Sequence, residues 1–196
     1  MENLQRYLIN RGGFTPLEAD QVVASFTTKV LRKHQSLLQQ GDVWRYHAFV
    51  SKGCLRTYTV DEKGLEHVIS FSTENWWPGD CESLISGAPS NYNIEALEDC
   101  KILLIHNEQF IDICRQVPGM NNMVNAMYQR SFAAAQERIN AFLQYTAEEK
   151  YRYFIKKYPA IPNRVPLHMI ASYLGITKET LSRIRNTLRK EMAAGV

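Results

Sequence analysis

Hydrophobic and polar residues change their spacing along the chain, and each change predicts a different kind of element. The apolar residues of "LQRYLI" and "TPLEADQVVASF" indicate two short helices, with Thr15 suited to cap the second helix and Pro16 to its first position. From about Lys29 to His106, short runs rich in Val, Ile, Tyr, Phe and Thr are split by Gly, Asp and Pro at intervals of about ten residues. These runs predict a small antiparallel sandwich or barrel.

A long helix is predicted after the β-type runs, because residues 120–144 contain neither proline nor glycine. Apolar and small residues recur there at steps of three or four, which places them on one face. That face consists of Met120, Val124, Met127, Ser131, Ala135, Ile139 and Phe142. Two interpretations fit the pattern equally: the face packs against the chain's own barrel, or it pairs with the same helix of a second copy. The helix can also be divided between the two.

A capping-box signature marks the start of a C-terminal module. Thr146 is followed three residues later by Glu149, which predicts a helix that begins at about residue 147 and ends before Pro159. A rigid loop, "PAIPN", then leads into the last part of the chain. The predicted domain boundary therefore lies near Tyr145.

Residues 164–192 predict a helix-turn-helix. Pro166 suits the first position of a helix that ends at Leu174, and Gly175 suits the left-handed conformation at its exit. Thr177 is a good N-cap for the next helix. The two helices share a set of apolar residues that can form a common core, namely Ile170, Leu174, Ile176, Leu181, Ile184 and Leu188.

The final helix has two chemically different faces. Projection at about 100° per residue groups Leu181, Ile184 and Leu188 on one side and places charged and polar residues on the other. Arginine and lysine can donate to guanine in the major groove, and glutamate can accept from cytosine. The hydroxyls of Thr177, Thr180 and Ser182 can contact phosphates. We therefore predict DNA binding, with a merely solvated amphipathic helix as the alternative.

Charge divides the chain at residue 150. Residues 150–196 hold ten basic and two acidic residues, a formal charge of +8, whereas residues 1–149 hold 13 basic and 18 acidic residues, a charge of −5. A compact basic module suggests a polyanionic partner, with nucleic acid ahead of an acidic membrane surface.

Composition removes several other classes of protein. No stretch approaches the roughly 20 apolar residues that cross a bilayer, and the N-terminus lacks the pattern of a secretory signal, so we expect a cytoplasmic protein. Cysteines stand singly at positions 54, 81, 100 and 114 without histidine at ligand spacing, which favours buried reduced thiols and no metal site.

The whole chain resembles the CRP/FNR superfamily of bacterial transcription regulators, and "ITKETLSRI" is similar to the recognition-helix pattern of that family. The resemblance implies an α+β fold: an antiparallel β-barrel of double-stranded β-helix (jelly-roll) type with flanking helices, a long dimerisation helix, and a C-terminal winged helix-turn-helix. The implied divisions are 1–118 for an effector domain, 119–145 for the dimerisation helix and 146–196 for the DNA-binding domain. Lys178, Glu179 and Arg183 then fall on base-reading positions, although Lys178 replaces the usual arginine.

The segment "WWPGDCESLISGAPSNYNIEALEDC" resembles the family's phosphate-binding cassette. The implied effector pocket would include Gly79, Asp80, Ser90 and Asn91. Ser90 stands where cyclic-AMP binders place an arginine, and a buried phosphate without that cation would face Asp80. We therefore expect no cyclic-AMP cofactor, and the effector stays unidentified.

The leading hypothesis is a homodimeric, sequence-specific DNA-binding regulator that recognises an inverted-repeat operator, with a barrel that senses an unknown effector or none. RNA polymerase and a small-molecule effector are further candidate partners. The alternative is a ligand-sensing or protein-interaction module that does not bind DNA and carries a basic tail. An enzyme is not expected, because the sequence has no nucleophile with a paired base, no metal cluster and no phosphate loop.

Overall fold

The computed structural model describes residues 1–193, which form seven strands and eight helices. The strands are β1 (Thr27–Leu31), β2 (Ser36–Leu38), β3 (Tyr46–Lys52), β4 (Leu55–Val60), β5 (Glu66–Ser72), β6 (Asn93–Ala96) and β7 (Cys100–His106). The helices are α1 (Glu2–Gly12), α2 (Pro16–Ala24), α3 (Cys81–Ser86), α4 (Asn107–Gln116), α5 (Gly119–Gln144), α6 (Ala147–Lys157), α7 (Leu167–Leu174) and α8 (Lys178–Ala193). This order confirms the predicted α+β class.

The strands form two antiparallel sheets that together make an open barrel. One sheet has the order β1-β7-β3, and the other has the order β2-β6-β4-β5. β7 pairs with both β1 and β3, and β6 pairs with both β2 and β4, so the chain crosses between the sheets as in a jelly roll. The predicted run at 49–60 is divided at Gly53, where an added Cβ would lie 2.8 Å from the Cys100 Cα.

Two compact units divide the described residues. Met1–Thr59 and Ser70–Ser131 form the first, and Val60–Ile69 joins the described residues from Phe132 onward in the second. α5 begins and ends close to the domain boundaries expected near residues 118 and 145. The division between the two compact units, however, falls within α5, between Ser131 and Phe132. The three-domain division stays a prediction.

The first unit has two apolar cores. One lies between the two sheets and includes Trp44, Leu55 and Ile94. The other joins the N-terminal helices to α4 and the start of α5. Thr15 caps α2 in a complete capping box, as the sequence predicts.

The second unit contains the three C-terminal helices around a buried core. Phe154 of α6, Ile170 of α7 and Leu181 of α8 are almost fully buried there. Thr146 caps α6 through the predicted capping box with Glu149. A tip formed by Val60–Ile69, which comprises the end of β4, the turn after it and the first part of β5, belongs to this unit.

The tip contacts α7 through polar groups. The Val68 amide donates to Ser172 Oγ at 3.0 Å, and Ser172 Oγ donates to the Glu66 carbonyl at 3.3 Å. Arg138 of α5 donates to the backbone carbonyls of Val68, Ile69 and Tyr173. These bonds hold α7, the first helix of the helix-turn-helix, against β5.

The predicted wing has no counterpart among residues 146–193, because no strand is assigned there. The link between α6 and α7 consists of turns and contains Pro159, Pro162 and Pro166. Proline lacks the backbone N–H that a strand needs for pairing, so this segment is poorly suited to a paired ribbon.

Candidate nucleic-acid interface and effector pocket

The turn before α8 is built by local chemistry. Gly175 ends α7 with a left-handed φ of 65°, and an added Cβ would lie 2.6 Å from Phe142 Cε2. Thr177 then caps α8, because its hydroxyl oxygen accepts a hydrogen bond from the Thr180 amide at 3.1 Å. Both residues have the roles expected from the sequence, and they fix the direction in which α8 leaves the turn.

α8 buries one face and exposes the other. Leu181, Ile184 and Leu188 are buried in the core of the second unit. The opposite side forms one shallow concave surface of about 560 Å³, here called the α8 groove. Its lining residues are Lys178, Glu179, Ser182, Arg183, Asn186, Thr187 and Lys190. The helix therefore has the two-faced arrangement that the sequence predicts.

The three candidate base-reading residues lie together at the exposed start of this surface. Lys178, Glu179 and Arg183 are exposed, and none of them forms an ion pair within residues 1–193. Their charged ends are thus available to a partner. The base-reading assignment itself stays a prediction.

The three candidate phosphate contacts differ in how much hydrogen-bonding capacity they retain. Thr177 Oγ1 accepts from the Thr180 amide and donates its proton to Thr180 Oγ1 at 3.0 Å. Thr180 keeps its own hydroxyl proton, and Ser182 lines the α8 groove. Thr180 and Ser182 therefore fit a phosphate contact better than Thr177, whose hydroxyl caps the helix.

The predicted dimer face of α5 is divided along its length. Met120 is 0% exposed in the core of its own unit, and Val124 packs against that core. Met127 is half-buried, whereas Ser131, Ala135, Ile139 and Phe142 are exposed. Met120 thus has no surface left for a second chain, because intramolecular packing covers it. A helical period of 3.6 residues is the same for both halves, so the sequence could not separate them.

The expected effector residues do not form an open phosphate site. Asp80 caps α3: one carboxylate oxygen accepts from the backbone amides of Glu82 and Ser83. The other accepts from Ser90 Oγ at 2.7 Å, and both Asp80 and Ser90 are buried. Asn91, by contrast, is exposed. The buried carboxylate is thus satisfied within the chain.

Sequence reasoning missed α3 itself. The helix begins after Asp80 and ends at Gly87, which has a left-handed φ of 70°. An N-cap aspartate followed by a C-cap glycine is a recognisable helix signal, and both residues lie in the segment that resembles the phosphate-binding cassette.

The sequence also missed a cluster in the β-sheet in which the buried Arg56 and Glu95 meet the exposed His34. Arg56 Nη2 lies 2.6 Å from Glu95 Oε2, and His34 Nδ1 lies 2.9 Å from Glu95 Oε1. Arg56 and Glu95 are opposite each other on β4 and β6. Their pairing depends on strand register, for which the sequence offered no local signal.

The cysteines are free, and only part of the expectation for them is confirmed. Cys54 and Cys100 are buried, Cys114 is half-buried, and Cys81 is exposed at the start of α3. Within the described part of the chain, no group of three or more His, Cys, Asp or Glu residues is placed to hold a metal ion. No helix among the described residues is long and apolar enough to cross a membrane.

Comparisons with known proteins agree with this architecture. Residues 28–117 match the cyclic nucleotide-binding domain family. The regulatory protein HlyX of Actinobacillus pleuropneumoniae is 26% identical over 179 residues, which cover 83% of this chain and 71% of that protein. The fumarate and nitrate reduction regulatory protein of Vibrio cholerae is 25% identical over 186 residues, covering 88% and 72%. The solved structure of FixK2 from Bradyrhizobium japonicum matches with a TM-score of 0.74 at 20% identity, covering 85% of each chain.

The order of elements defines a class of protein in which a cyclic nucleotide-binding-type barrel precedes a long helix and a helix-turn-helix. In this order of elements and in sequence the chain is similar to the CRP/FNR superfamily, as the resemblance of its sequence implies. The relatives reported above are regulatory proteins by name, in agreement with the expectation that this chain is not an enzyme.

Proposed function

We propose that this protein is a sequence-specific DNA-binding transcription regulator that acts as a homodimer on an inverted-repeat operator. The observation that carries the proposal is the α8 groove, where exposed charged and polar side chains lie opposite the buried face of the helix. The names of its relatives, which are regulatory proteins, support the same function.

Base reading is assigned to the start of α8. Arg183 and Lys178 can donate to guanine O6 and N7, and Glu179 can accept from cytosine N4. Thr180 and Ser182 supply hydroxyl groups for the flanking phosphates. Because Thr177 caps the helix, its contribution is to hold this end of α8 in place.

Dimerisation is assigned to the C-terminal half of α5. Ile139 and Phe142 of the predicted face are exposed there, and so are their neighbours Phe132 and Leu143. Large apolar side chains clustered on one exposed helix favour a partner surface. Pairing of two copies would bury them and could set two α8 helices about 34 Å apart, one turn of DNA.

The barrel of this regulator is proposed to work without cyclic AMP. The buried Asp80 carboxylate and the Ser90 hydroxyl satisfy each other where a cyclic phosphate would need a cation. RNA polymerase and a small-molecule effector are further candidate partners of this regulator.

Salt dependence of DNA binding tests the proposed class of function. Fluorescence anisotropy with a labelled pool of duplexes measures the affinity for DNA. This affinity should fall steeply between about 50 and 200 mM salt, because several contacts to phosphates are expected. Weak affinity at low salt with a shallow salt response, or no measurable affinity at all, would favour the alternative, a ligand-sensing or protein-interaction module with a basic tail.

A further inference from the structure

Arg138, in the C-terminal half of α5, contacts two other segments of the second unit. Its guanidinium donates to the backbone carbonyls of Val68 and Ile69 in the tip, and to that of Tyr173 in α7 at 3.4 Å. The guanidinium carbon also lies 4.3 Å from the centre of the Tyr173 ring, which is a cation–π contact. One half-buried side chain of α5 thus holds both the tip and the last turn of α7.

The residue before Arg138 joins the same part of α5 to α6. Glu137 forms an ion pair with Lys157, and its carboxylate accepts a hydrogen bond from the Tyr153 hydroxyl at 2.7 Å. The Lys157 ammonium also donates to Tyr153 Oη at 2.8 Å. Two consecutive residues of α5 therefore contact α6 and α7 through their side chains.

The direction of α8 depends on α7. The turn between the two helices is short and fixed, because Gly175 ends α7 and Thr177 caps α8. α7 is in turn held to α5 by Arg138. The exposed apolar residues assigned to dimerisation, which include Ile139 and Phe142, lie on the same stretch of α5. Arg138 therefore connects the helix assigned to dimerisation with the helices assigned to DNA binding.

We propose that Arg138 is a positioning residue that fixes the separation and angle of the two α8 helices in the dimer, and so determines which half-site spacing the protein accepts. One added base pair moves a half-site by about 3.4 Å and turns it by about one tenth of a rotation. A planar guanidinium can hold several carbonyls in one geometry, because its donors form a rigid fork. This inference rests on the proposed binding of DNA by a homodimer and names the residue that sets its geometry.

Competition binding with designed duplexes tests this role. The selected inverted repeat is compared with duplexes that have one base pair added or removed between the half-sites, and with a duplex that carries a single half-site. Arg138→Gln removes the positive charge and the guanidinium fork. We expect its preference for the selected spacing over the two neighbouring spacings to fall at least about five-fold, because several hydrogen bonds are lost. Its affinity for the single half-site should change by less than about two-fold, because α8 itself is unaltered.

Arg130→Gln is the matched control. It removes the same charge from an exposed position of α5 in the first unit, so its spacing preference should equal that of the unaltered chain. If Arg138→Gln does not fold, Arg138→Lys decides by the same comparison, since it keeps the charge but replaces the planar fork by a compact ammonium.

Two results would overturn the positioning role alone. One is an unchanged spacing preference in the Arg138 variants, and the other is an equal loss of affinity on every duplex, including the single half-site, which would indicate a general structural role. The absence of any preferred sequence or spacing for the unaltered chain would instead contradict the proposed function itself, and the positioning role with it.

Discussion

Ser90 donates a hydrogen bond of 2.7 Å to Asp80 Oδ2, and the two side chains are only 2% and 6% exposed. The remaining carboxylate oxygen is satisfied by backbone amides at the start of α3. A bound cyclic phosphate would add a negative charge beside this carboxylate without a cation to offset it. The hydrogen bond between Ser90 and Asp80 therefore has a structural role at this end of the cassette.

Removal of the Ser90 hydroxyl should destabilise the first unit. Ser90→Ala leaves a buried carboxylate oxygen without its donor, so we expect the free energy of unfolding to fall by about 1–3 kcal/mol. Urea denaturation followed by circular dichroism measures the change. Asn91→Ala is the control, because Asn91 is exposed beside it and should change stability by less than about 0.5 kcal/mol. An equal effect of both variants would contradict the structural role of the pair.

Cyclic AMP should not bind this protein. Isothermal titration calorimetry with cyclic AMP at millimolar concentration is expected to give no saturable heat, because the phosphate would lie next to the Asp80 carboxylate. Saturable binding in the micromolar range would show that the cassette opens to take the nucleotide.

Stability should depend on pH through Glu95. Burial raises the pKa of this carboxyl, but hydrogen bonds and charge from His34 and Arg56 outweigh burial, so its pKa lies below the ordinary 4.5. The stabilisation is therefore present above about pH 4.5 and is lost as the pH falls through the lower folded-state pKa. Denaturation midpoints measured from pH 7 to pH 3 should show this loss.

A variant separates the charge of Glu95 from the rest of the acid response. Glu95→Gln removes the carboxylate charge that lies 2.6 Å from the buried Arg56, so we expect the free energy of unfolding to fall by about 1–3 kcal/mol at pH 7. The variant should also lose less stability than the unaltered chain between pH 5 and pH 3. Parallel pH profiles for the two proteins would exclude Glu95 as the source.

An acidic residue on the exposed half of α5 should disrupt dimerisation. Ile139 is 59% exposed on the predicted dimer face, and Ile139→Glu would place a charge in the apolar interface. Sedimentation velocity should then show monomer where the unaltered chain shows dimer. Leu17→Glu is the matched control, because Leu17 is 80% exposed on α2 and lies outside the predicted face. A dimer that tolerates Ile139→Glu would require a different interface.

Removal of the Arg183 guanidinium should relax base preference at one position of each half-site. Arg183→Ala is expected to cost about 1–3 kcal/mol on the preferred sequence and much less on sequences with another base there. Arg189→Ala removes the same charge from α8 but lies outside the residues that line the α8 groove. Competition binding should therefore show an unchanged base preference for Arg189→Ala. An identical base preference for Arg183→Ala and the unaltered chain would remove Arg183 from base reading.

The elements that depend on residues close together in the sequence could be predicted from it. Both capping boxes, the extent of α5 and the cap at Thr177 were predictable because each depends on residues within one or two turns. The pairing of Arg56 with Glu95 was not, since the two are brought together by the register of strands far apart in sequence.

The candidate DNA-binding surface could be predicted to a similar extent. The two faces of α8 follow from helical periodicity, so its exposed residues could be named in advance. Which half of α5 is covered, and the closure of the cassette by Ser90, depend on tertiary packing that periodicity does not report.

Selection of binding sites from a pool of random duplexes tests the central claim most directly, which is that two copies of α8 read DNA in a sequence-specific way. The account predicts an enriched inverted repeat whose half-site centres are about 10 base pairs apart, one turn of the double helix. The absence of any enriched sequence, or enrichment of a single unpaired half-site, would contradict it.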